Sequence, residues 1–207
     1  MPLLIAVSAC GGKSDIEERY NKAVAEQRSV AGVPKDELVS IGISVGANNG
    51  KDVAIVYYSG GQRHDLVGND TGGNDRDYQI DGGGMVLRAR DYSYGFKIVT
   101  PGANKVVRWK VRLYPDKIKI CDNDDDVAPR RIRTESPTRA TLAGPEEEAL
   151  GEIVFDGKET VVKTSDGKER YRKATGKLEP SYAVFLFDRM PLTEKYIVMA
   201  ELMARNR

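Results

Sequence analysis

The feature that most constrains the fold is a segment near the C-terminus that has almost no polar face. In YIVMAELMA, residues 196–204, Glu201 is the only charged side chain. Pro191 interrupts the chain before this segment, and Thr193 is placed to cap a helix over residues 193–205. A helix that is apolar on nearly every side needs burial on every side. No apolar run is long enough to span a membrane as a helix, so the rest of the chain must surround this one.

Residues 85–122 predict a ladder of hairpins that could enclose this apolar helix. Apolar side chains alternate with Lys and Arg in MVLRARDYS, YGFKIVT, KVVRWKVRLY and KIKICD, and the segments PGAN and PD form turns between them. This alternation is typical of an antiparallel sheet with one buried face and one wet face, here coated with cations. Upstream, ELVSIGISVG and DVAIVYYSG predict two further strands.

Two segments interrupt the strand pattern. Residues 59–84 are rich in Gly, Asn and Asp, which predicts a long exposed loop holding one short strand. Residues 131–133 are compatible with another strand, and residues 135–151 predict a loop or a short helical excursion.

A near-repeat, FDGKETV and SDGKERY, marks two further hairpins. Each is centred on Asp-Gly, at Asp156-Gly157 and Asp166-Gly167, the pair that favours a type I′ turn.

These patterns predict a mainly β protein with a single β-rich domain over residues 38–207. An antiparallel hairpin ladder curls into a barrel-like sheet around or against the hydrophobic C-terminal helix. A short N-terminal helix is predicted in SDIEERYNKAVAEQR, where Ser14 and Glu17 form a capping box.

The stretches FKIV…VRWKVRLYPDKIKICDND and VFLFDRMPLTEKYIVMAELM resemble the tubby C-terminal-like superfamily, which includes the scramblase and LURP-one-related proteins. The resemblance covers residues 85–207 and is one of pattern, without a catalytic motif. It implies a closed antiparallel barrel around a hydrophobic helix at the end of the chain. No binding residue is carried over from it.

The first residues of the chain suggest where the protein resides. The tetrapeptide Val7-Ser8-Ala9-Cys10 follows a short apolar stretch and resembles the bacterial lipobox. That resemblance implies that residues 1–9 are the remnant of a signal, that Cys10 is acylated, and that residues 10–37 form the anchor cysteine and a tether. Gly11, where a retention signal would need Asp, implies the outer membrane. The alternative is that residues 3–9 form a buried strand of a cytosolic domain.

Composition disfavours several classes of partner. Lys and Arg number 32 against 31 Asp and Glu, so the net charge of +1 gives no long-range field for nucleic acid. With two cysteines and one histidine, a structural zinc site lacks the usual four ligands. Cys121, at the end of a strand, is expected to be a small buried hydrophobe without a disulfide partner.

Two candidate chemical sites remain. Asp122, Asp124 and Asp126 in CDNDDD are weak calcium candidates, although Val127 and Arg133 stand where an EF-hand needs Gly and Glu. A solvated acidic turn is the ordinary interpretation of such a segment. His64, beside Asp65, is the only nameable residue for a hydrolase, and a carboxylate pair is the other option.

The sequence therefore predicts a lipid-anchored cell-envelope lipoprotein that acts as a non-enzymatic binding or structural module. The expected partners are the membrane, through the anchor, and an envelope protein; neither nucleic acid nor a cofactor is expected. The alternatives are a cytosolic tubby-like domain that binds lipid or protein, and a hydrolase using His64 or a carboxylate pair.

Overall fold

A computed structural model describes residues 36–45 and 50–205. They form one antiparallel sheet of 13 strands, in which each strand pairs with the next one along the chain. A 3₁₀ helix, Pro180–Leu186, and an α-helix, α1, Leu192–Ala204, follow the sheet. The strands are β1 Asp36–Val45, β2 Lys51–Ser59, β3 Gln62–Gly72, β4 Asp75–Ile80, β5 Met85–Tyr92, β6 Gly95–Val99, β7 Val107–Leu113, β8 Lys117–Asp122, β9 Arg130–Ser136, β10 Arg139–Ala143, β11 Ala149–Phe155, β12 Glu159–Thr164 and β13 Glu169–Ala174.

The predicted class, a mainly β antiparallel ladder with a C-terminal helix, is confirmed. The hairpins of residues 85–122 are β5 to β8, as their alternation predicts. Phe96 and Ile98 on β6 are fully buried, and Lys97 between them points to the other side of the sheet.

The prediction of a long loop over residues 59–84 is wrong, because this segment contains the whole of β3 and β4. The inward positions of these strands are occupied by residues that do not form an apolar stripe. Gly68 on β3 stands directly opposite Tyr78 on β4, and the buried Arg76 is the next inward residue of β4.

The loop predicted over residues 135–151 is also wrong. It contains β10 and the start of β11, joined to β9 by a turn at residues 137–138. Ala140 and Leu142 of β10 are buried, and Thr141 between them is not. A five-residue strand gives only two inward side chains, too few to stand out beside the Pro and Glu residues that flank it.

The two Asp-Gly turns are where the near-repeat predicts them, but they are not type I′. Gly157 and Gly167 have positive φ, whereas Asp156 and Asp166 do not, and a type I′ turn needs both central residues there. The Asp156 carboxylate instead accepts the backbone N–H groups of Lys158 and Glu159, which fixes the turn by a side-chain contact.

The sheet is strongly curled around the helices. A flat sheet of 13 strands would span about 58 Å at ~4.8 Å per strand, whereas a helix of 13 residues is about 20 Å long. Nevertheless α1 contacts Tyr57 on β2, Tyr78 on β4 and Trp109 on β7, while the 3₁₀ helix lies against β9 to β13. Strands from both halves of the sheet can contact these short helices only if the sheet wraps around them.

Helix α1 is buried on nearly all sides, as its composition requires, and begins and ends within one residue of the predicted 193–205. The predicted cap is wrong. Pro191 is the N-cap residue, and no side chain caps the first turn. Thr193 is the second residue of the helix, and its hydroxyl is 2.9 Å from the phenol oxygen of Tyr57.

The two edge strands approach each other without pairing along their backbones in the part of the chain that the structure describes. A side chain bridges them: Nζ of Lys173 on β13 donates to the carbonyl oxygens of Leu38 and Val39 on β1, at 3.0 and 3.1 Å. Among the described residues, the Lys173 side chain thus joins the two edges where no ladder of backbone bonds does.

The predicted signal remnant, Cys10 and the N-terminal helix lie outside the described residues. Within residues 36–45 and 50–205, no helix has the length and apolar character needed to cross a membrane.

Candidate functional site

The outer side of β5 to β9 carries two rows of cations. In each row three basic side chains stand directly opposite one another on adjacent strands. We call the two rows together the cationic face: Arg90–Lys97–Lys110 and Arg112–Lys119–Arg131. Directly opposed like charges destabilise a sheet. The two rows of cations therefore reduce the stability of the sheet, and packing of the core does not require them.

An acidic segment between β8 and β9, residues 123–129, contacts two cations of the first row and Arg112 of the second row. We call it the acidic loop. Nζ of Lys97 lies 2.7 Å from a carboxylate oxygen of Asp124, and Nζ of Lys110 lies 3.5 Å from the same oxygen. Asp126 contacts both Lys110 and Arg112. Two carboxylates of one loop thus neutralise three cations on two strands.

The weak calcium candidates are therefore divided by the fold. Asp124 and Asp126 are paired with cations, and the hydrogen bond from Lys97 holds the pKa of Asp124 below its ordinary value. Asp122 is the last residue of β8 and stands opposite Trp109. In the described part of the chain, no group of three or more His, Cys, Asp or Glu side chains is arranged to hold a metal ion.

Cys121 lies near this contact. It stands opposite Lys110 on the outer side of the sheet, yet it is only 3% exposed. Its thiol has a raised pKa because it is buried and because it lies near Asp126. The charged groups near it include Asp126 of the acidic loop and Lys110 and Arg112 of the cationic face. The expectation of a small buried residue is confirmed, and the structure gives Cys121 as a free thiol.

A shallow groove continues the outer surface beyond the cationic face. It has a volume of about 440 Å³ and is lined by residues of β9 to β12, among them Arg133, Arg139 and Glu152. Its charges are also paired, since Glu147 contacts Arg131 and Arg133 at 3.1 and 3.0 Å.

His64 has an acid partner, but the partner is Asp81 rather than its sequence neighbour Asp65. Nδ1 of His64 lies 2.8 Å from Oδ2 of Asp81, in the turn after β4. The other oxygen of Asp81 accepts the backbone N–H of Asp65 at 2.8 Å, and the His64 ring lies 5.2 Å from that of Tyr57. In a neutral imidazole, a carboxylate on Nδ1 favours the tautomer that keeps the proton on Nδ1 and leaves Nε2 as the acceptor.

A buried polar network inside the sheet was not predicted. The Glu201 carboxylate of α1 accepts a hydrogen bond from Arg76 and one from Tyr78, both at 2.7 Å, and also contacts Arg205. At the other end of α1, Glu194 accepts from the indole N–H of Trp109. These groups fix the helix in the sheet. The signal in the sequence is Glu201, the only charged residue of the apolar segment 196–204. A buried carboxylate needs a partner, so this residue indicates a buried polar contact.

Searches with family models, among curated proteins and among solved structures found no match to this chain.

Proposed function

We propose that this protein is a lipid-anchored envelope module that binds a partner through the outer side of its curled sheet. The observation that carries the proposal is the occupation of the inner side. Helix α1 and the 3₁₀ helix lie there, and the charged side chains of Glu194 and Glu201 are used to hold α1 in place. The surface offered to a partner is then the outer side, where the cationic face lies.

The anchor rests on the lipobox-like Val7-Ser8-Ala9-Cys10. Acylation of the thiol and of the new amino terminus would supply more than one chain, which stable membrane attachment requires. The described domain begins at Asp36, so the residues between Cys10 and Asp36 would connect the anchor to the domain.

The test is expression of the full chain and of Cys10→Ala in a bacterial host that processes lipoproteins, followed by fractionation in high salt and intact mass measurement. We expect the wild-type chain in the membrane fraction, with a mature N-terminus at Cys10 and added acyl mass. The variant should leave the membrane fraction.

A chain that begins at Met1 and carries no acyl mass would contradict the anchor. It would return residues 3–9 to the domain and favour the cytosolic tubby-like alternative. Membrane association of Cys10→Ala that persists in high salt would also contradict it.

A hydrolase is the second candidate, and the His64–Asp81 contact at 2.8 Å is the observation that favours it. An imidazole oriented by a carboxylate is the base of many acyl-transfer sites. Turnover of p-nitrophenyl esters by the purified chain, lost in His64→Ala and reduced in Asp81→Asn, would support this candidate. Equal rates in all three proteins would remove it.

A further inference from the structure

The cationic face and the acidic loop form a contact that resembles binding between two molecules. Lys97 comes from β6, Lys110 and Arg112 come from β7, and the carboxylates come from a loop after β8. The strands have backbone ladders of their own from β5 to β9, with one register shift between Ile98 and Val99 on β6. The loop therefore behaves as a ligand that is tethered to its site.

We propose that the cationic face is a binding site for an acidic peptide segment of a partner protein, and that the acidic loop is an intramolecular competitor for it. This inference rests on the proposed function, because it names the partner class of the same outer surface.

The chemistry of the loop indicates the chemistry of the partner. Asp124 and Asp126 are two residues apart, so in an extended segment their side chains point the same way, about 7 Å apart. They meet cations of two neighbouring strands. A partner segment with carboxylates at alternate positions would meet the same cations, and it would also relieve the repulsion within each row.

Exposure of the groups allows exchange. The side chain of Lys110, which contacts both carboxylates, is 11% exposed. Those of Lys97 and Arg112 are 27% and 28% exposed, and those of Asp124 and Asp126 are 52% and 45% exposed. Ion pairs at such positions contribute little to stability, typically below about 1 kcal/mol each. A second acidic segment can therefore displace the loop without unfolding the sheet.

The first experiment uses the purified, unacylated full chain and a fluorescein-labelled peptide with the sequence of residues 122–127, DNDDDV. Binding is measured by fluorescence anisotropy at low salt. We expect Asp124→Asn/Asp126→Asn to bind the peptide about tenfold more tightly than the wild-type chain, because the weak ion pairs of two competing carboxylates are removed. The affinity should fall as salt is added.

Asp188→Asn/Glu169→Gln is the matched control. It makes the same change in net charge and removes one carboxylate partner from each of the exposed side chains of Arg170 and Arg172 on β13, away from the cationic face. We expect wild-type affinity from it. In the Asp124→Asn/Asp126→Asn background, the further changes Lys97→Gln and Arg112→Gln should lower the affinity at least about tenfold.

Cys121 gives an independent readout of the same site. Its reaction with N-ethylmaleimide, followed by mass spectrometry of the Cys121 peptide, should be faster in Asp124→Asn/Asp126→Asn than in the wild-type chain. Added DNDDDV should then protect Cys121, with a midpoint equal to the affinity measured by anisotropy.

Three results would overturn the inference: no gain in affinity in the loop variant, an equal gain in the β13 control, or no protection of Cys121 at saturating peptide. Stronger binding of the loop variant to phosphatidylglycerol vesicles than to the peptide would replace the acidic peptide by a lipid surface. None of these measurements uses the acyl anchor, so a failure here is distinct from a failure of the Cys10 experiment.

Discussion

Glu201 is fully buried, and its carboxylate has three partners, of which Arg76 is almost as completely buried. A buried ion pair contributes little net stability, but removal of one partner leaves the other charged and desolvated. We expect Glu201→Gln to lower the free energy of unfolding by about 3 kcal/mol, measured by urea denaturation.

Glu194→Gln is the comparison for this prediction. Glu194 is also buried, but its cationic partner Arg108 has a side chain that is 44% exposed and can be solvated once the carboxylate is lost. We expect a loss of about 1 kcal/mol or less. Equal losses in the two variants would show that the burial of Arg76 does not decide the effect.

Asp81 gives a prediction on pH. The backbone N–H of Asp65, and then His64, hold its pKa below the ordinary 3.8. The folded state therefore favours the charged form, and this contribution is complete above pH ~3.8 and is lost as pH falls through the lower pKa of the folded state. We expect Asp81→Asn to lose less stability than the wild-type chain between about pH 5 and about pH 2.5. If the variant and the wild-type chain lose equal unfolding free energy over this range, Asp81 does not contribute to stability through its lowered pKa.

At this scale the sequence predicted which residues are unusual but not what they contact. Glu201 was notable as the one charge in an apolar helix, and its partners Arg76 and Tyr78 are more than 120 residues away in the chain. His64 was notable as the only histidine, and its acid is 17 residues away rather than adjacent. Such contacts are set by strand register, which spacing in the sequence does not give.

Among the elements, the β3–β4 pair depends on one close contact. A Cβ atom on Gly68 would lie 2.6 Å from the Tyr78 ring, so only glycine lets that ring lie across β3 and direct its hydroxyl to Glu201. We expect Gly68→Ala to lower the free energy of unfolding by about 2 kcal/mol, as overpacking of a core does, in urea titrations.

Gly42→Ala on β1 is the matched control for Gly68→Ala. A Cβ atom there would meet only the Ala54 carbonyl oxygen, at 3.9 Å, which is an ordinary contact. We expect no loss of stability, or a gain of up to about 1 kcal/mol because the unfolded chain has less freedom. A Gly68→Ala protein as stable as Gly42→Ala would contradict the role given to the Tyr78 ring.

Element prediction succeeded where inward positions were apolar and failed where they were not. On β6, Phe96 and Ile98 form a clear period of two, so the strand was predicted. On β3 and β4 the inward positions include Gly68 and Arg76. Gly68 fits there because the Tyr78 ring lies against it, and Arg76 fits because it contacts Glu201 of α1. A glycine that makes room for a ring and an arginine that meets a helix carboxylate look like loop residues in the sequence.

For the whole molecule, the seam between β1 and β13 is a junction of the curled sheet that has no backbone ladder in the described residues. Lys173 is half-buried, and burial lowers the pKa of its amine. It makes the two hydrogen bonds to β1 that join the edges. We expect Lys173→Met to cost about 2 kcal/mol of unfolding free energy, the range for hydrogen bonds from a charged group. Hydrogen exchange should accelerate in β1 and β13 more than in β6 and β7.

Lys163→Met, on the neighbouring strand β12, removes a lysine that stands opposite Glu152 on the outer side. We expect this control to keep the exchange rates of β1 and β13 at wild-type values. If the two variants accelerate exchange at the edges equally, Lys173 does not join the seam.

The curl of the sheet around α1 could be predicted because an all-apolar helix in a chain of hairpins has only one place to be buried. The return of the acidic loop onto the cationic face could not, because Asp124 and Asp126 look like a solvated turn until β6 and β7 are placed beside them. The alternation did predict the cations of that face.

The linear order of the strands has a consequence for biosynthesis. The sheet grows one neighbour at a time from β1 to β13, yet the helix that fills its inner side, Leu192–Ala204, is made only after all of these strands. A ribosome therefore releases every strand before it supplies the segment that buries them. Until Leu192–Ala204 has been made, the nascent chain has hairpins but lacks the helix that buries their inner side.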